Sequence, residues 1–151
     1  MCRRYARNPD EAKDLMQESL LRALDRISTY TFVGKGSLYA WLSRIAVNQA
    51  LNHIRRSRWR PVSLDVIRPD RIPEPDEEQM QAIPQEKLLE WISCLPDARR
   101  SVFNLYCLDG YSHKEIAEML GISEKGSAGM LAQARRQLKE QIINYLKEKE
   151  R

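Results

Sequence analysis

Prolines 61, 69, 73, 75 and 84 crowd into positions 61–84, with Asp76-Glu77-Glu78 among them. Proline removes a backbone donor and pushes the residue before it out of the helical region, so no regular element runs through such a stretch. An extended acidic linker over 61–84 therefore divides the 151 residues into two lobes, 1–60 and 85–151. Lobes of this size can bury only small cores.

No segment alternates apolar and polar residues with a period of two, whereas apolar residues recur at helical spacing on both sides of the linker. The expected class is all-α, with two small helical lobes. In the first lobe, Asn8-Pro9-Asp10 is a turn or a helix start, and a helix is expected from Glu11 to about Ile27. Met16, Leu20, Leu24 and Ile27 step along one face of it, which is expected to be buried. Residues 29–36 form a loop. Ser37 is suited to cap a second helix to about Arg58, and Pro61 forbids its continuation. In the second lobe, Leu88, Ile92 and Leu95 mark a helix from Gln85 to Cys94. Pro96 starts another to about Leu108, and Asp109-Gly110 is a turn. Ser112-His113-Lys114-Glu115 has the form of a capping box. That helix ends at Leu120-Gly121. Ser123 caps the last helix, whose apolar face is Leu131, Ala134, Leu138, Ile142 and Tyr145.

Hydrophobic residues make up 42% and charged residues 30%, enough apolar material for a core and too much charge for a membrane protein. The first lobe carries twelve Lys/Arg against five Asp/Glu, and the linker two against six. A basic front and an acidic middle imply separate partners for separate segments. No apolar run approaches the roughly 18 residues that span a bilayer. Residues 1–7 contain no apolar export stretch. Cys2, Cys94 and Cys107 are odd in number and form no CxxC pair, which suits a reduced, cytoplasmic protein. Gly34-Lys35-Gly36-Ser37 lacks the first glycine and the closing Ser/Thr of a phosphate loop. His53 and His113 have no ligand partners at metal spacing. No catalytic role, metal or cofactor is therefore expected.

Three constellations point to function. From Ser112 to Leu120, across Gly121-Ile122-Ser123 and into the last helix, the chain has the dimensions of a helix-turn-helix. Ala117, four residues before Gly121, allows close crossing, and the glycine suits a left-handed turn. At about 100° per residue, the side of the last helix opposite Leu131 carries Lys125, Gly129, Ala132, Gln133 and Arg136, with Arg135 at the edge. Lys125, Gln133 and Arg136 can donate to base edges, and Arg135 suits a phosphate. On the second helix of the first lobe, Trp41, Arg44, Asn48, Asn52 and Arg55 share one arc, followed by Arg56 and Arg58. Cations meet phosphates, and flat rings and guanidiniums stack on unpaired bases, so this stripe fits melted DNA. Finally, Asp14, Gln17 and Glu18 share an exposed face that suits docking to a basic partner.

In this order the motifs resemble the extracytoplasmic-function sigma factors of bacterial RNA polymerase, in the sigma-70 family. The resemblance rests on Asp14 to Glu18, Gly34 to Asn48, the basic run Arg55 to Arg60 and Pro61-Val62-Ser63-Leu64-Asp65 in the front half. In the second it rests on Leu95-Pro96, Val102-Phe103, Gly110-Tyr111-Ser112, Glu115-Ile116-Ala117, Leu120 to Ser123 and Ala134-Arg135. It implies a dissociable initiation factor. Asp14, Gln17 and Glu18 would grip coiled-coil helices of the polymerase's largest subunit. The helix carrying Trp41, Arg44, Asn48, Asn52, Arg55, Arg56 and Arg58 would melt and hold the minus-ten element. The linker would thread toward the RNA exit path. Ser112, Lys125, Gly129, Gln133, Arg135 and Arg136 would meet the minus-thirty-five element. Its partners would be core RNA polymerase, promoter DNA as duplex and as melted strand, and an anti-sigma factor.

The family normally has a further helix ahead of Asn8-Pro9-Asp10, so the first lobe is expected to lack it or to have it short. Relatives also carry basic residues where this chain has Ala128, Met130 and Gln133, so a thinly furnished reading helix is expected. The alternative, a stand-alone helix-turn-helix repressor or activator, leaves the Trp41 stripe, the Asp14 patch and the two-lobed layout unexplained.

Overall fold

The computed structural model describes residues 1–58 and 77–149, which are helices and their connections without a strand. The elements are α1 (Cys2–Tyr5), α2 (Pro9–Asp25), a 3-10 turn (Ile27–Thr29), α3 (Ser37–Arg58), α4 (Glu77–Gln81), α5 (Gln85–Cys94), α6 (Asp97–Phe103), a π turn (Asn104–Leu108), α7 (His113–Leu120) and α8 (Glu124–Lys149). Contacts divide the chain into two compact units, Met1–Trp59 and Arg60–Arg151.

In the first unit α2 and α3 pack side by side, with α1 against both. Asn8 caps α2 by accepting from the Glu11 N–H at 2.8 Å, and Pro9 takes the first helical position, where its missing donor costs nothing. Val47, Ala50, Leu51 and Ile54 form the buried face of α3. The buried face of α2 corrects the sequence expectation. It is Leu15, Ser19 and Ala23, while Met16, Leu20, Leu24 and Ile27 lie exposed, Leu24 at 67%. The small side chains at 19 and 23 let a neighbouring helix approach closely. The Ser19 hydroxyl is satisfied on the Leu15 carbonyl at 2.6 Å, so its burial leaves no unmet donor. A buried aliphatic side chain contributes about 1.5–3 kcal/mol, and α2 supplies one of that size. Ser37 is also corrected. It is the first helical residue rather than the cap, because the Gly36 carbonyl accepts the first α3 bond from Ala40. Its hydroxyl instead lies 2.8 Å from the Tyr30 hydroxyl and folds the preceding loop back.

The second unit is centred on α8, about 39 Å long at 1.5 Å per residue, against which α5, α6 and α7 pack. Residues 61–76 of the expected linker lie outside the described residues. Residues 77–84 are not extended: Glu77–Gln81 is helical, and Ile83 joins a core of Trp91, Ile92, Leu95, Ala134, Leu138 and Ile142. Glu77-Glu78-Gln79-Met80-Gln81 is a run of good helix formers free of Gly and Pro, and Ile83 gains by leaving water. The expected helix from Pro96 to Leu108 changes character at Asn104. There the Asp109 N–H bonds back to the Asn104 carbonyl, five residues away, and the last turn widens into a π turn.

The capping box at Ser112 forms as its residues dictate. The Glu115 N–H donates to the Ser112 hydroxyl, and the Glu115 carboxylate accepts from the Ser112 N–H at 2.8 Å. Gly121 ends α7 in the left-handed region, φ 68°, which a side chain would strain. Ser123 caps α8 by accepting from the Gly126 N–H at 2.9 Å, and a Cβ at Gly126 would stand 3.0 Å from that hydroxyl. The bonds from Ser112, backbone N–H first and hydroxyl second, hold the Glu115 carboxyl below its ordinary value of 4.5. The ionised form is therefore favoured in the folded state. Its stabilisation is present above 4.5 and is lost as pH falls through the lowered folded value. Wild type is expected to lose its stability advantage over Glu115→Gln below pH 4.5. Thermal midpoints of both proteins across that range check this, and a pH-independent difference refutes it.

Candidate docking and nucleic-acid interfaces

On α2, Asp14, Gln17 and Glu18 all face solvent, as docking requires. They do not stand alone. The exposed Met16, Leu20 and Leu24 run along the adjoining side of the same helix, and Leu21, Phe32, Val33, Leu38 and Tyr39 are exposed nearby in sequence. Contiguous exposed apolar surface is a mark of interaction faces, and the Met16, Leu20 and Leu24 stripe is a candidate for one. The sequence reading missed it because it spent those residues on a core. Glu11, which the sequence reading passed over, ties this end of the unit together. Its carboxylate accepts from the Arg7 N–H at 2.6 Å and lies 2.9 Å from His53 Nε2 on α3.

On α3, Arg44, Asn48, Asn52, Arg55 and Arg56 are all exposed. The side chain of Arg58 lies outside the described residues. Trp41 is half-buried at the head of the stripe, tilted 50° against Tyr30 with ring centroids 5.3 Å apart. One side of the indole is thus held by the protein, and the helix beyond it presents amides and guanidiniums to solvent. An aromatic ring anchored beside cations can offer a stacking surface to an unpaired base and charge to its phosphate.

In the second unit, α7 and α8 form the helix-turn-helix. Ile116, Ala117, Leu120 and Leu131 are buried between the elements, and Ile122 is half-buried. Of the residues assigned to duplex DNA, Lys125, Arg135 and Arg136 are exposed on α8, and Gln133 is half-buried. Gly129 is buried, which corrects its placement on the open face. A glycine exposes only backbone, and side chains one turn away readily cover it. Ser112 is exposed, yet its hydroxyl serves the capping box. Arg136 pairs with Glu140 at 3.2 Å, both about half-exposed, a contact of small net value that phosphate can displace. Arg135 reaches toward the π turn, its guanidinium carbon 5.8 Å from the Tyr106 ring centre.

No helix among the described residues is long and apolar enough to cross a membrane. The sigma-70 region 2 family matches residues 1–60, and the "Sigma-70, region 4" family matches residues 85–138. The chain is 28% identical over 138 residues to a probable RNA polymerase sigma factor, RfaY, of Xanthomonas campestris, covering 87% of this chain and 34% of that protein. It is 30% identical over 128 residues to the ECF RNA polymerase sigma-E factor of Salmonella typhimurium, covering 78% and 65%. The chain thus spans less than two thirds of the length of these curated relatives. In fold it is similar to the sigma factor RpoE of Bartonella quintana, solved with the anti-sigma factor NepR. The TM-score is 0.55 at 19% identity, over 95% of this chain and 87% of that one. Two sigma-70 regions matched in sequence order, one on each helical unit, establish that the chain belongs to the sigma-70 family.

Proposed function

We propose that this chain is a dissociable transcription initiation factor that binds core RNA polymerase and directs promoter recognition and minus-ten melting. It carries out no chemistry itself and acts in the cytoplasm, where polymerase and promoter are. The observation that carries the reading is the α3 stripe. Arg44, Asn48, Asn52 and Arg55 are all exposed in line with an anchored Trp41, while the apolar side of the helix is buried. A helix built only to pack has no use for such a row. In this reading α2 docks on polymerase through Asp14, Gln17 and Glu18 with the apolar residues beside them. The α3 stripe captures the opened strand, and α8 meets the minus-thirty-five duplex. An anti-sigma factor, such as the one that accompanies the Bartonella protein, would compete for these exposed surfaces.

Run-off transcription with core polymerase on a promoter library tests the reading directly. Promoter-dependent transcripts are expected with the protein and not without it. Tight binding of the protein alone to duplex DNA, with no transcripts, would establish the repressor instead. Within this scheme, Trp41→Ala is expected to impair opening of a duplex promoter more than binding of a pre-melted one. Stacking on a base contributes about 1–3 kcal/mol. Permanganate footprinting on the two templates, with a thermal melt as folding control, measures the difference. Equal loss on both would return Trp41 to a packing role against Tyr30.

A further inference from the structure

Tyr106 sits in the π turn, and its side chain is exposed. Its ring stacks on that of His113, the first residue of α7, with centroids 4.4 Å apart and planes 18° from parallel. His113 Nδ1 lies 2.8 Å from the hydroxyl of Ser127, which is fully buried in α8. Farther along α8, the Arg135 guanidinium stands over the Tyr106 ring, and its Nη2 donates to Cys107 Sγ at 3.7 Å. The Tyr106–His113 pair therefore meets α8 at two points, Ser127 and Arg135. These lie about 12 Å apart along the axis at 1.5 Å per residue. A π turn replacing the end of an α-helix is a recurrent feature of functional sites, and here it is the element that presents both Tyr106 and Cys107.

We propose that Tyr106, braced by His113, is a positioning residue that holds the Arg135 guanidinium ready for a DNA phosphate; this rests on the reading of the second unit as a duplex-binding module. An exposed arginine samples many rotamers, most of them unproductive for any one phosphate. A ring against the guanidinium restricts that freedom, and the N–H groups that do not meet Cys107 stay available for charge-assisted bonds. Pre-organisation of this kind raises affinity by removing an ordering cost, without adding a contact to the DNA. It matters most on a helix with few long donors, and α8 has small residues at Gly126, Ala128, Gly129 and Ala132. The strength of an exposed cation–π pair corresponds to about two- to fivefold in affinity.

The test is a double-mutant cycle on the full chain assembled with core polymerase, reading affinity for a promoter duplex. Tyr106→Leu is expected to weaken binding about two- to fivefold, Tyr106→Phe to restore wild-type affinity, and Tyr106→Leu to cause no further loss in an Arg135→Ala background. A merely structural role predicts the opposite: the same loss whether or not Arg135 is present. That additivity, or wild-type affinity for Tyr106→Leu or for Arg135→Ala, overturns the proposal. Should Tyr106→Leu lower the thermal midpoint, His113→Leu, which removes the brace and leaves Tyr106 in place, runs through the same cycle with the same two outcomes. If wild-type holoenzyme itself does not bind the promoter, it is the initiation-factor reading that fails.

Discussion

Arg100→Ala is expected to destabilise the second unit by about 3–5 kcal/mol, the cost of removing one member of a buried charged network. Arg100 is 2% exposed. Its Nη1 donates to the Ser93 carbonyl at 2.8 Å and to the Leu95 carbonyl at 3.3 Å, and its Nη2 pairs with Asp97. Those carbonyls belong to the end of α5, where a helix leaves acceptors without partners and carries its negative dipole end. One guanidinium thus closes α5 and fixes the start of α6. Alanine takes this donor from the Ser93 and Leu95 carbonyls and the guanidinium from Asp97, in a place water reaches poorly. Domains are stable by only about 5–15 kcal/mol, so the loss is a large share of the total. For a unit of this size the midpoint falls by more than about 12 °C. Arg100→Lys is expected to recover part of the loss, since an ammonium keeps the charge and lacks the planar fork. Circular dichroism melts of the three proteins decide it. A loss below about 1 kcal/mol for alanine means that the carbonyls rehydrate freely and the network contributes little.

Arg100 also shows where sequence reading stops. Arg99 and Arg100 are adjacent and chemically identical, and only the path of α5 into α6 decides which one goes inside. Local signals carried the second unit well. Ser112, Glu115, Gly121 and Ser123 act within a few residues of themselves, and the helix ends they specify are where the structure has them. Signals that depend on a neighbour carried less. Ser19 is polar and Ala23 is small, so spacing does not single out the face of α2 that meets its neighbours, and the stripe of larger residues beside it mimics a core face. Ile83 was hidden by the prolines that precede it, and the π turn carries no breaker to announce it. For the candidate interfaces, the exposure of Asp14, Gln17, Glu18, Arg44, Asn48, Asn52 and Arg55 follows from polar or charged side chains on the outer side of a helix. The burial of Gly129 and the hold of Tyr106 on Arg135 follow from packing that no spacing rule encodes.

The α2 surface gives the largest expected functional effect. Asp14 and Glu18 are one helical turn apart on an exposed face, with Met16 and Leu20 alongside. In such a surface the apolar residues supply most of the affinity, and the carboxylates set orientation and encounter rate against a basic partner. In the proposed docking, reversing both charges does more than delete two attractions, because it would place cations against the basic surface these carboxylates are proposed to meet. Like-charge contact across an interface costs enough that Asp14→Arg/Glu18→Arg is expected to weaken core-polymerase binding by about 100-fold or more. The fold should survive, since exposed substitutions away from special features shift stability by about 0.5 kcal/mol or less. Leu20→Ala separates the two contributions. Its loss is expected to be nearly independent of salt, whereas the advantage of wild type over the charge reversal shrinks as ionic strength rises and screens exposed charges. Titration of labelled protein with core polymerase at low and high salt measures both. If the double reversal binds as tightly as wild type at low salt, Asp14 and Glu18 are surface residues and polymerase docks elsewhere on the chain.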